Sequence, residues 1–231
     1  METSKKACNC IDCGFRAAVF ENLIDSEIDI ICLSKKEVGF NKGDVIVSKG
    51  QEVDEFLYLK SGLVKLFEPD AKGKEHIIRI AKPLDFVSLL SVFSETHYNF
   101  SITALNETVV CYIDLNSIKE LIKSNGKFGL KLMEKMSNNF DKIIKANINI
   151  NSKQLRGRIA YILIFFADEI YNSSIFELPI SRKEIAQLIN MTTENVIRIF
   201  SEFRKDEIIK INGKVIEIIN KEMLEKISKH G

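Results

Sequence analysis

Long apolar runs are missing from this chain. The longest, Ile159 to Ala167, is well short of the ~20 residues that a membrane-spanning helix needs. The N-terminus is polar and charged, without the apolar stretch of a secretory signal. No membrane partner is expected, and a cytoplasmic location is. Charge of one sign is lacking too. With 33 Lys and Arg against 32 Asp and Glu, the formal net charge is +1, which excludes nucleic-acid binding through bulk charge alone. Histidine occurs only three times in 231 residues and never as His-x-His, so clustered-imidazole metal chemistry has no ligands. Nor is there a glycine-rich phosphate loop, a Gly-x-Ser-x-Gly or a His-Glu-x-x-His. The five cysteines are an odd number. In a reducing compartment they are expected as thiols or metal ligands, not disulfides.

What is present is most explicit in Ser181–Phe203, SRKEIAQLINMTTENVIRIFSEF. Ser181 and Glu184 have the spacing of a capping box, in which each side chain satisfies a backbone donor at the helix start. Ile185, Leu188 and Ile189 form an apolar face. The chain turns at Asn190-Met191, and Thr192 can cap a second helix. There Val196, Ile199, Phe200 and Phe203 form a buried stripe. Glu194, Ile197, Arg198 and Ser201 repeat the same spacing on the opposite side. A helix in the major groove offers such groups: Arg to guanine, a carboxylate to the cytosine amino group, an aliphatic group to a thymine methyl. Ile208–Ile219 follows, two β-rich runs around Asn212-Gly213, a hairpin signal in which both turn residues adopt positive φ. Helix, turn, helix and hairpin make a winged helix-turn-helix. Residues 152–231 hold 13 Lys and Arg against 11 Asp and Glu. Affinity for DNA therefore depends on the local placement of groups such as Arg156, Arg158, Arg182, Arg198 and Lys214.

Upstream, Ala17–Ile31 is expected to form one or two short helices. From Glu37 to Asp114 the apolar period is two. Val45 and Val47 alternate, Phe56–Leu59 and Leu63–Phe67 flank a hairpin at Ser61-Gly62, and Ile77–Ile80 and Val109–Ile113 are further strands. Short strands with glycine turns suggest a small antiparallel barrel or jelly roll. From Asn116 to Asn151 the helical period returns. Met133, Met136, Phe140, Ile143, Asn147 and Ile150 form a heptad seam with one polar layer. The expected class is α+β: a sensor β-roll with a cysteine-rich tail over residues 1–115, a helical region over 116–151 and a DNA-binding domain over 152–231.

The segment LPISRKEIAQLINMTTENVIRIFSEFRKDEIIKINGKVIEI resembles the DNA-binding domain of the CRP/FNR family of bacterial transcription regulators. FNKGDVIVSKGQ and YLKSGLVKLF resemble the family's cyclic-nucleotide-binding-like β-roll. The resemblance implies a homodimer paired through the long helix, a palindromic double-stranded DNA operator and RNA polymerase as partners, and a regulator, not an enzyme. Base contacts carry over to Glu194 and Arg198, with Thr193, Ile197 and Ser201 beside them. Arg182 and Lys214 are further expected DNA contacts. Cyclic-nucleotide binders of this fold neutralise the phosphate with an Arg. Leu84–Leu105 contains none, and Ser88 stands near the expected Glu, so cAMP is not the expected effector.

FNR-like members hold an iron–sulfur cluster on N-terminal cysteines plus one in a Val-Cys-x-Ile context. Cys8, Cys10, Cys13 and Cys111 offer four thiolates, the number such a cluster needs. A redox, oxygen or nitric oxide signal is then expected. Zinc or a redox pair at Cys10 and Cys13 stays open, as does a haem sensor using His76, His97 or Met. Cys32 reads as core. A cupin-like metal enzyme is the alternative of another class.

Overall fold

The computed structural model describes residues 20–70, 73–88, 91–94 and 96–231. These fall into two compact units, one ending at Asp141 and the other Lys142–Gly231. In the first, helix α1 (Asp25–Ser34) precedes strands β1 (Lys35–Phe40), β2 (Val45–Val47), β3 (Glu55–Ser61), β4 (Val64–Pro69), β5 (Glu75–Ala81), β6 (Ser101–Ala104) and β7 (Thr108–Asp114). Helices α2 (Leu115–Ser124) and α3 (Gly126–Asn151) follow, with residues 142–151 of α3 counted in the second unit. The strands make two antiparallel sheets, ordered β1-β7-β3 and β2-β6-β4-β5. This is the α+β β-roll expected from the sequence.

Strands β3 and β7 are buried on both faces, which explains the unbroken apolar run Phe56–Leu59. Successive strand residues point to opposite faces. Leu57, Leu59, Val110 and Tyr112 pack into the roll with Leu66, Phe100 and Ile102. Phe56, Tyr58, Cys111 and Ile113 face the other way and share a core with Phe20, Ile28, Ile118 and Phe128. Asn125 separates the two long helices. Its N–H closes α2 on the Leu121 carbonyl, while its side-chain oxygen accepts the Phe128 N–H at 3.1 Å and so caps α3.

Three local expectations are corrected. Ser61-Gly62 is not a hairpin, because β3 and β4 belong to different sheets. Gly62 instead turns the chain between them at φ +88°, where a Cβ would lie 2.5 Å from the Glu107 carbonyl oxygen. Both the positive φ and the close backbone approach demand glycine. Val45 and Val47 do not share a face. A register shift lies between them, leaving Val45 exposed and Val47 buried. Part of the expected heptad stripe is also taken up within the chain. Met136 packs against the β-roll core and Ile150 is buried. The exposed apolar residues are Leu130, Met133, Phe140, Ile144 and Ile148.

The second unit contains α4 (Leu155–Ile164), which continues as a π-helical segment to Tyr171, then β8 (Ile175–Glu177), α5 (Arg182–Leu188) and α6 (Thr193–Lys205). Strands β9 (Ile209–Asn212) and β10 (Val215–Ile218) and helix α7 (Lys221–His230) complete it. Its sheet has the order β8-β10-β9, so the hairpin carries a third strand. Asn212 pairs with Val215, which places the turn at Gly213-Lys214, one residue later than expected. Only Gly213 has positive φ, +60°, and glycine at the first central position is what a type II′ turn requires. No helix among the described residues is long and apolar enough to cross a membrane.

Candidate nucleic-acid interface

The helix-turn-helix is built by caps. Ser181 Oγ accepts the Glu184 N–H at 3.2 Å, and the Glu184 carboxylate accepts the Ser181 N–H at 2.8 Å, a complete capping box. Asn190 supplies the turn at φ +52°. Thr192 Oγ1 then accepts the Asn195 N–H at 3.3 Å and starts α6. Val196, Ile199, Phe200 and Phe203 are buried, as their spacing requires. Ile208, Ile209, Ile216 and Ile218, in and beside the hairpin, are buried as well.

This packing leaves Glu194, Ile197, Arg198 and Ser201 exposed along α6, with Thr193 half-buried at its start. The Glu194 carboxyl is held below the usual carboxylate range, first by its own backbone N–H and then by the Thr192 hydroxyl. It is an ionised acceptor at the positive end of a helix dipole. Arg198 leans along the helix, donating to the carboxylate of Glu202 and, at 3.3 Å, to the Asn195 amide oxygen. Glu202 also accepts from Arg156 at 2.6 Å, and Arg156 reaches Asp206 at 2.9 Å. Arg156 lies over the Phe203 ring. Its guanidinium is held in the charged form above all by Asp206, then by Glu202, against its partial burial. Lys214 is exposed on the wing turn. Arg182 differs: its guanidinium lies 3.9 Å from the centre of the Phe200 ring, half-buried, and desolvation lowers its pKa. It is packed against the domain's own core face.

The turn itself is held from below. Arg158 donates to the carbonyls of Ile189 at 3.2 Å and Asn190 at 3.0 Å, while its Nε binds the Lys153 carbonyl at 3.0 Å. Asn151, at the end of α3, links Asn147 to Asn190 through its side chain. Neither clamp is visible in the sequence.

Of the sensor residues, Cys111 is buried on β7, its Sγ 3.8 Å from a Glu37 carboxylate oxygen that also meets Lys35 at 2.9 Å. Cys8, Cys10 and Cys13 lie outside the described residues. Cys32 is half-buried against the same core as Cys111. His76 and His97 are both exposed, the first 3.8 Å from Asp70 and the second bonded to Thr96. Among the described residues no three His, Cys, Asp or Glu side chains gather as a metal site. Ser88 is buried and its Oγ accepts the Leu57 N–H at 3.0 Å, a structural bond that ties the loop to β3.

A β-roll sensor followed by a winged helix-turn-helix defines a DNA-binding transcription regulator. Residues 37–125 match the cyclic nucleotide-binding domain family, and residues 157–227 match the Crp-like helix-turn-helix domain family. The chain is 24% identical to the electron transport regulator A of Shewanella oneidensis, covering 93% of this chain and 88% of that protein. It is 27% identical to the transcriptional activator protein Anr of Pseudomonas protegens over 78% and 75% of the two chains. Against the fumarate and nitrate reduction regulatory protein of Escherichia coli it is 24% identical over 97% and 92%. FixK2 of Bradyrhizobium japonicum shares its fold with a TM-score of 0.75 at 18% identity, over 84% of this chain and 96% of that one. The protein belongs to the CRP/FNR family of transcription regulators. That membership, spanning sensor and reader, sets aside the cupin-like enzyme.

Proposed function

We propose that this regulator acts as a homodimer that lays α6 of each subunit into successive major grooves of a palindromic operator, and that its signal is redox, oxygen or nitric oxide. The observation that carries the first part is the face of α6: Glu194, Ile197, Arg198 and Ser201 are exposed together while the opposite stripe is buried. Arg198 reads guanine and Glu194 accepts from cytosine. Thr193 and Ser201 flank them, and Lys214 holds a phosphate. Arg182, stacked on Phe200, serves the domain's packing before it serves DNA. The second copy is supplied along α3. Leu130, Met133, exposed Ser137, Phe140 and Ile144 alternate three- and four-residue steps, the spacing of a coiled-coil seam, and exposed Ile148 follows four residues on. A two-fold dimer matches a two-fold site and presents its surface to RNA polymerase.

The signal reading rests on the sensor. Leu84–Leu105 contains no Arg or Lys for a cyclic-nucleotide phosphate. Tyr98 and Tyr112 are buried among the residues of the roll interior, and burial raises both phenol pKa values. The relatives named for fumarate and nitrate reduction and for electron transport favour respiratory chemistry. Four thiolates suit an iron–sulfur cluster. Cys111 faces the core that contains Phe20 and Leu23, the first described residues after the cysteine tail. Cys13 precedes Phe20 by seven residues, a reach of up to ~24 Å when extended. Cys8, Cys10, Cys13 and Cys111 would hold the cluster, which supplies a redox-sensitive link between tail and roll. The exposed positions of His76 and His97 favour the cysteines over haem.

The test of the DNA reading is selection from a pool of random duplexes by purified protein. Enrichment of a two-fold symmetric sequence with half-site centres about 10–10.5 base pairs apart or a multiple of that spacing is expected. Recovery of unselected sequence would reject it.

A further inference from the structure

A cleft of about 870 Å³ opens in the DNA-binding unit beside α6. Lys153, Arg156, Arg158, Arg198, Lys226 and His230 line it, and among the described residues no Asp or Glu does. These residues come from the start of α4, from α6 and from α7, so folding gathers them from positions over seventy residues apart. They are not equally committed. Arg156 is held by Glu202 and Asp206, and Arg198 by Glu202. Lys153 Nζ and Arg158 donate to backbone carbonyls, which leave their charges uncompensated. Lys226 pairs with Glu222 only at the surface, where both side chains are more than half exposed, a pairing worth little in water. The first turn of α4 adds the positive end of a helix dipole. The carbonyl of Gly231, which also lines the cleft, accepts the Gln154 N–H at 3.0 Å.

We infer that this cleft is a second DNA contact that takes phosphodiester groups of the backbone outside the bases read by α6, with Lys226 and Lys153 as its principal cations. The inference rests on α6 being the reading helix. Arg198 belongs to both surfaces: it stands on the exposed face of α6 and lines the cleft. A duplex engaged by that face therefore continues past the cleft mouth. Phosphates positioned there neutralise charge without reading sequence, and each releases counterions. Contact with flanking backbone also answers the charge problem of a chain whose formal net charge is only +1, because the excess is concentrated where the backbone runs.

The experiment uses full-length protein and a duplex that the wild type has selected from a random pool. Affinity is measured across salt concentrations for the wild type, Lys226→Gln, Lys153→Gln and Lys226→Arg. Each duplex is tested at full length and trimmed to the selected bases. The slope of log K against log salt is expected to fall by about one for each Gln substitution on the long duplex. Lys226→Arg should restore it, and the trimmed duplex should show no difference. Because Lys153 also tethers α7 through the Ser228 carbonyl, thermal unfolding is followed in parallel, and the exposed Lys226 decides the outcome. An unchanged slope for Lys226→Gln on the long duplex overturns the inference. So does saturable binding of inorganic pyrophosphate that Lys226→Gln abolishes while the DNA slope stays the same, which would make the cleft a small-anion site. If the wild type selects no sequence, the reading of α6 fails first and takes this inference with it.

Discussion

At the scale of residues, the reading helix is restrained before it meets DNA. Arg198 is engaged by Glu202, and Glu202 is shared with Arg156. To take a guanine, Arg198 must leave a carboxylate that loses little by its departure, since an exposed pair of this kind is worth about 0–1 kcal/mol and Arg156 remains. Arg198→Ala should therefore cost about 1–3 kcal/mol at one base pair of each half-site and flatten the preference there. Competition binding against single-position variants of the selected site measures this. Equal loss on selected and random duplexes would contradict the assignment. Lys214→Ala should weaken both duplexes alike, because a phosphate contact carries no sequence. Glu202→Gln removes the competing carboxylate. Affinity for random DNA should rise severalfold in a filter-binding titration at low salt, with folding stability moved by less than about 1 kcal/mol.

Among the elements, what could be read in advance was what local chemistry decides. The capping box at Ser181, the cap at Thr192 and the buried stripe of α6 depend on residues within one or two turns, and they stand as their spacing implies. The misplaced features depend on distant partners. The residues Ser61-Gly62 carry a turn signal whether the flanking strands pair or part. Only the fit of Gly62 against Glu107 and Thr108 makes it a corner between sheets. Helix α3 has apolar residues on two faces, and heptad counting cannot say which stripe the β-roll will claim. It claims Leu132 and Met136, so the free stripe is rotated by about one residue. Phe140→Glu or Ile144→Glu should accordingly abolish the dimer in sedimentation, since like charges would face each other across the seam. Ile150→Glu should instead unfold the protein locally, because that residue is buried. The clamp at the helix-turn-helix turn is another long-range feature. Arg158→Ala strands three carbonyls, at Lys153, Ile189 and Asn190, and should lower the stability of the DNA-binding unit by about 1–3 kcal/mol. Operator affinity should fall with it while the dimer survives. A matched Arg158→Lys variant should recover little, because one ammonium cannot span the separate acceptors that a guanidinium serves.

For the whole molecule, the question is how a sensor whose Leu84–Leu105 segment contains no arginine can bias a reader at the far end of the sequence. Regulation of this kind requires only that the signal favour one of two arrangements by a few kcal/mol. The sensor core suits a switch made by the N-terminal tail. Tyr58, Cys111 and Ile113 share one cluster with Phe20, Leu23, α1, α2 and the start of α3, so a bond from the tail to Cys111 would act on the same packing that seats the dimer helix. The thiol sits beside the Glu37 carboxylate, which Lys35 and Lys60 approach at 2.9 and 2.8 Å. Protein purified without oxygen should then carry iron and sulfide in equal amounts and absorb in the visible. Serine at Cys8, Cys10, Cys13 or Cys111 should remove iron, sulfide and colour together, along with any oxygen dependence of DNA binding. Cys32→Ser should leave all of these intact, because Cys32 packs among the apolar residues of that core. Colourless anaerobic protein that contains no iron and binds the selected duplex equally in air would reject the cluster. A protein coloured by iron that survives all four serine substitutions would reject these ligands while keeping the redox signal.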